Sequence, residues 1–158
     1  PYTTLLGPGE HPFPTQYVRS TLTMLIEPAV FLRRITEDVH HAGGRFVIRD
    51  FSNKEELLSL PEPVIFNCTG LGSRTLFGDK DLVPVKGQLV FMPPDPDVDY
   101  LTIGGGRGDL YMFSRSDALL LGGFYKPGDA TTHVESEETV RIIGEHQRLF
   151  GNFGRARA

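Results

Sequence analysis

Residues 64–74 read VIFNCTGLGSR. Val64, Ile65 and Phe66 form an apolar run that stops abruptly at Asn67, Cys68, Thr69, Gly70 and Gly72. Apolar side chains on successive residues suit a strand covered on both faces, as in a parallel sheet. A strand that ends in Thr-Gly exposes backbone N–H groups and lets a flat ligand approach with no Cβ in the way. Gly70-Leu71-Gly72 opens a G-x-G-x-x-G fingerprint, but Thr75 stands at the third glycine position, so this is not the primary pyrophosphate loop. On the residues alone the stretch reads either as a structural corner or as one edge of a nucleotide site.

Upstream, residues 17–26 alternate and then turn apolar, as a strand does. Pro28 suits the first turn of a helix, and Phe31, Ile35 and Val39 recur every four residues until Gly43-Gly44 end the pattern. Residues 45–51, RFVIRDF, predict a second strand, and Ser52 with Glu55 predicts a capping box at a short helix. Residues 17–67 therefore read strand, helix, strand, short helix, strand. Downstream the character changes. Residues 87–92, 100–103, 109–113 and 118–125 predict four short strands linked by PPDPD, GGGRG and SRSD, the chemistry of turns in an antiparallel meander. Residues 135–150 predict a closing helix, with Val140, Ile143 and Phe150 near helical spacing. The expected class is α/β, mixed with α+β. An irregular Pro/Gly-rich lead over 1–16 precedes a β-α-β portion over 17–85. An antiparallel portion with its C-terminal helix follows over 86–158.

At 158 residues the chain can bury a core, and 39% apolar with 23% charged residues places it among globular domains. A net charge of −4 argues against a nucleic-acid or anionic-membrane surface. No apolar run approaches the roughly 20 residues a membrane helix needs. One cysteine allows no internal disulfide and fits a reducing, cytoplasmic compartment. The chain opens on Pro1 and closes on GRARA, so its ends read as cut.

Other candidate chemistry is thin. Cys68 as a nucleophile needs a paired base that the sequence does not place, and reads better as a small packed side chain. His40-His41 lack the i, i+4 spacing that puts two metal ligands on one helix face. Gly104-Gly105-Gly106-Arg107-Gly108 lies between two strands rather than between a strand and a helix, so a hairpin connection is favoured over a phosphate loop. Arg107-Gly108-Asp109 is an adhesion tripeptide by composition only. Tyr111, in DLYMF, could face a pocket or simply pack.

The order of these pieces resembles the flavin-dependent D-amino-acid oxidase family. Three blocks carry the resemblance: residues 20–51, residues 64–90 with the strand end VIFNCTG and the strand start Gly87-Gln88, and residues 110–125, LYMFSRSDALLLGGFY. The resemblance implies FAD as cofactor and a small amino acid or amine as substrate. It implies that Phe51 lies beside the adenine end of FAD, that Cys68, Thr69 and Gly70 contact the cofactor, and that Tyr111 lines the substrate pocket. It places Arg107 where many relatives carry a pocket aromatic. No single catalytic acid or base is implied, because the protein's share is orientation and flavin electronics. The family's G-x-G-x-x-G start and its substrate-carboxylate arginine have no match here, so a central fragment, inactive by itself, is expected. A non-catalytic piece that self-associates or pairs with a complementary polypeptide, and a piece of a glycine- or sarcosine-type oxidase, are the alternatives.

Overall fold

The computed structural model describes residues 2–151 and Phe153. The chain divides into two compact units, one of residues 2–33, 87–125 and 133–153, the other of residues 34–86 and 126–132.

The first unit is built on a four-stranded sheet in the order β3-β6-β5-β4, where β3 is Val85–Met92, β4 Thr102–Ile103, β5 Tyr111–Ser114 and β6 Leu119–Pro127. β4, β5 and β6 form antiparallel hairpins, with Ile103 opposite Tyr111 and Tyr111 opposite Gly122. A simple meander would set β3 beside β4. Instead β3 lies beside β6, because residues 93–101 are long enough to carry the chain across the sheet. Helix α4, Ser136–Phe150, covers one face. Met112, Leu121 and Ile142 form the core, flanked by Val90, Leu119, Phe124 and Phe150. The buried face of α4 is Ile142, His146 and Leu149, while Val140 is 72% exposed. Adjacent Ile142 and Ile143 left the register of that face ambiguous by about 100°, and the polar His146 concealed it. Gln88 fastens the helix start: its Nε2 donates to the Thr139 hydroxyl (2.7 Å) and its Oε1 accepts from the Glu135 amide (2.8 Å). The second bond satisfies the Glu135 amide at the N-cap, where α4 has no side-chain cap of its own.

Within the Pro/Gly-rich lead, Thr3–Leu6 forms β1, which pairs antiparallel with β2, Val18–Thr21. The β-branched Thr3 and Thr4 give a short strand in a stretch whose prolines all lie outside it. Residues 22–26, expected to extend the strand, have no ladder partner.

Helix α1, Pro28–His41, forms where the spacing predicts, yet none of its residues is buried. In the second unit α2, Lys54–Leu58, is capped one residue later than expected. Asn53 Oδ1 accepts from the Glu56 amide (2.9 Å), and the Ser52 amide donates to Glu56 Oε2 (3.0 Å). Asn53 outranks Ser52 because its longer side chain reaches N3 while Glu56, not Glu55, faces back. Residues 45–51 and 64–67 join no strand ladder among the described residues. Ile48 is fully exposed and Phe66 is 87% exposed, so neither segment forms the expected strand, and 64–67 is not covered on both faces as expected. A strand is stabilised by its ladder and its covered faces, and no described neighbour supplies either. The mixed α/β class holds, with helices and an antiparallel sheet closed by a C-terminal helix.

Candidate functional site

The turn after residues 64–67 feeds α3, Gly72–Phe77, a short helix the residue pattern did not announce. Asn67 organises it. Its Oδ1 accepts from the Thr69 hydroxyl (2.7 Å) and the Thr69 amide (3.3 Å), and its Nδ2 donates to Ser73 Oγ (2.9 Å). Thr69 Oγ1 and Ser73 Oγ stand 2.9 Å apart, and Ser73 is buried. Three small polar side chains thus close on one another, a local bonding pattern that competes with continued extended structure and turns the chain. Gly70 takes φ +55°, and space in front of its Cα is open to at least 4 Å. The amides of Gly72, Ser73 and Arg74 bond back to Thr69, Gly70 and Leu71 carbonyls. Arg74 reaches the carbonyls of Leu82 and Lys80, fixing the exit of α3.

Cys68 is exposed rather than packed, because the segment that carries it has no covering layer. Phe51, in the same unit, is half-buried, with the Arg49 guanidinium carbon 4.9 Å from its ring centre. One face of that ring is therefore already occupied by a cation. Cys68, Thr69 and Gly70 are brought together on one open turn.

Tyr111 and Arg107 belong to the other unit. The Tyr111 ring lies against Gly122 on β6 so closely that a Cβ built there would fall inside it. Phe113 flanks it at 5.4 Å between ring centres. Arg107 sits exposed in the turn after Gly104-Gly105-Gly106, and that turn joins β4 to β5 as a hairpin connection. The same unit carries an open cleft of about 1860 Å³ whose lining includes Phe13, Tyr17, Arg19, Tyr100, Arg115 and Arg148, but neither Tyr111 nor Arg107. Burial raises the Tyr100 hydroxyl pKa, and Asp95 and Asp99 raise it further. No periodicity or motif marks Tyr100 or Arg148; the strand-crossing link and the end of α4 bring them to one cleft. Among the described residues no group of three or more His, Cys, Asp or Glu could hold a metal.

The chemistry of the 67–73 turn suits one edge of a planar, polar cofactor. Open space faces Gly70, an exposed thiol stands beside it, and the Thr69 hydroxyl is preset by Asn67. Its fit to FAD is partial, because Gly70-Leu71-Gly72 leads into six-residue α3 with Thr75 at the third glycine position.

The fold and turn define a mixed α/β protein with an open turn after residues 64–67, and known sequences narrow the class further. No family model matches the chain. It is 29% identical over 133 residues to a D-amino-acid oxidase of Schizosaccharomyces pombe, covering 80% of this chain and 38% of that protein. It is 31% identical over 130 residues to a D-aspartate oxidase of Homo sapiens, covering 81% of this chain and 37% of that protein. A D-amino acid oxidase of Dugesia ryukyuensis matches at 25% over 134 residues, 83% of this chain and 39% of the relative. The chain is a homologue of the D-amino-acid and D-aspartate oxidases, and it spans under two fifths of the length of these curated relatives.

Proposed function

We propose that this chain is the central part of an FAD-dependent D-amino-acid oxidase. The observation that carries the reading is the match to D-amino-acid and D-aspartate oxidases over four fifths of the chain. The open turn at Gly70 supports it physically. FAD, where bound, supplies a two-electron acceptor for the hydride leaving the substrate Cα, and water then hydrolyses the imino acid to a keto acid and ammonia. This chain's share is orientation. Phe51 offers the half-buried ring for the adenine end. Cys68, Thr69 and Gly70 line the cofactor edge, with Asn67 holding the Thr69 hydroxyl. Tyr111, propped on Gly122, and exposed Arg107 line the side facing the amino acid.

The apolar segments 23–26, 45–51 and 64–67 join no strand ladder among the described residues and expose apolar side chains, which calls for polypeptide rather than a small molecule. The proposed occupant is chain equivalent to the three fifths of the relatives that lies outside the match, and activity resides in that complete assembly. With no described helix long and apolar enough to cross a membrane, and with one exposed cysteine, a cytoplasmic setting is the proposed compartment.

The test is flavin content. Purified protein, with and without added FAD, is passed over a desalting column and its visible spectrum recorded. Retained absorption in the flavin bands supports the reading; protein that stays colourless at saturating FAD removes the cofactor site from this chain.

A further inference from the structure

Two side chains of α4 reach off the helix to one short segment, residues 107–111, which bears both Arg107 and Tyr111. Arg141 lies 3.6 Å from Asp109 Oδ2, in the middle of the segment, and donates to the Gly123 carbonyl on the neighbouring strand β6. Its guanidinium is itself held by Glu138 (2.7 Å) and Glu145 (3.1 Å). Burial disfavours its charge, and those two carboxylates more than restore it, so its pKa stands above the ordinary arginine value. Glu145 in turn lies against Gly106, where a Cβ would collide with its carboxylate. Two residues on, at Tyr111, His146, 3% exposed, places Nε2 3.2 Å from the Tyr111 carbonyl and Nδ1 2.9 Å from the Ile142 carbonyl.

An imidazole on the buried face of a helix between Ile142 and Leu149 needs a reason, because an apolar side chain would fill that place with no polar group to desolvate. Both atoms facing the ring are carbonyl oxygens, which only accept, and the single N–H of an imidazole can donate to one of them at a time, the tautomer deciding which. The ring stacks along Phe150, 6.2 Å between centres. Packing is thereby supplied by Phe150, and the polar edge is left for the Tyr111 backbone.

We infer that Arg141 and His146 are positioning residues that fix the Arg107–Tyr111 segment against α4 and so set where the Tyr111 ring points. The role in a substrate pocket rests on the reading of Tyr111 given under the proposed function. The positioning itself rests only on the contacts above. The device makes α4 the rigid reference for a loop whose glycines give it little stiffness of its own.

Hydrogen exchange on the full chain, followed by peptide mass spectrometry, tests it. In His146→Phe and Arg141→Met, peptides covering residues 104–112 should exchange about tenfold faster, the scale of one lost buried or charge-assisted hydrogen bond. Peptides covering α2 and α3 should keep their rates. His146→Gln, which retains an N–H donor, should restore most of the protection at 104–112 that His146→Phe loses. Unchanged exchange at 104–112, an equal rise across every peptide, or no difference between Gln and Phe at position 146 overturns the inference. D-alanine and D-aspartate titrations followed by saturation-transfer NMR separate the two readings. Wild-type protein that binds neither ligand defeats the substrate-pocket reading, while the exchange data still decide the positioning. Binding that survives unchanged in both variants defeats the pocket role of the positioning pair.

Discussion

Gly122 and Tyr111 show how one missing Cβ makes room for an aromatic ring. The Tyr111 ring occupies the volume a side chain at 122 would need. Gly122→Ala should therefore push the ring off β6 and cost about 1–3 kcal/mol by overpacking, read as a shift in the urea midpoint. Tyr111→Phe keeps the ring and should leave that midpoint nearly unchanged, while altering affinity for D-amino acids in the flavin-loaded assembly. An equal KM across several D-amino acids would remove the hydroxyl from the pocket. Thr69 has a double role. Thr69→Val removes its hydroxyl contacts to Asn67 and Ser73, so flavin retention should fall by about 1 kcal/mol with a loss of similar size in stability. Full retention of flavin would leave Thr69 a turn residue only. The residues of this turn were legible as the abrupt end of an apolar run, but that the run forms no strand, and how the turn residues bond to one another, were not. Asn67, which the glycine pattern upstages, is the residue that closes it.

Among the elements, α1 and α4 contrast. Both carry apolar residues at helical spacing, yet α4 buries Ile142 completely while α1 buries nothing. Ile142→Ala should accordingly cost about 2–5 kcal/mol, measured by chemical denaturation. The start of α1 is fastened instead by charge. Glu27 accepts from the Ser116 amide (2.8 Å) and hydroxyl (2.6 Å), chiefly the hydroxyl bond holding its carboxyl pKa below the usual value. A carboxylate depressed in the folded state stabilises above its unfolded pKa, about 4.3, and that contribution is lost as pH falls through the lower folded value. Thermal midpoints of wild type and Glu27→Gln should thus differ at pH 7 and converge as pH drops below about 4. A gap that stays constant down to pH 3 would contradict the linkage. Asp129 behaves alike, held well below the carboxylate range by the Thr131 hydroxyl and amide and by Lys126. The Glu27–Ser116 tie was not visible in the sequence, since the two residues stand far apart along the chain and meet only through the fold.

At the scale of the whole molecule, the exposed apolar residues have a consequence for association. Phe46, Val47, Ile48, Val64 and Phe66 are each more than half exposed. Surface of that kind on extended, unpaired backbone templates further pairing. Sedimentation velocity should show species heavier than the 17.6 kDa monomer, growing with concentration. The double substitution Ile48→Lys, Phe66→Lys should suppress them. A monomer at all concentrations would show that these segments are not association edges. Addition of polypeptide equivalent to the missing three fifths of the relatives should compete with self-association if the proposed occupant is right.

Local pattern determined much of this protein. Turn chemistry in PPDPD, GGGRG and SRSD placed the four-stranded sheet to within a few residues, and the order of three blocks revealed the kinship with D-amino-acid oxidases. Such signals are written in neighbouring residues, where backbone preference and side-chain period act directly. Tertiary structure alone decided which apolar runs are strands, which face of α4 is buried, that β3 crosses to β6, and that His146 and Arg141 meet the Tyr111 segment. A strand exists only through its neighbours, and a buried polar contact only through the atom that faces it.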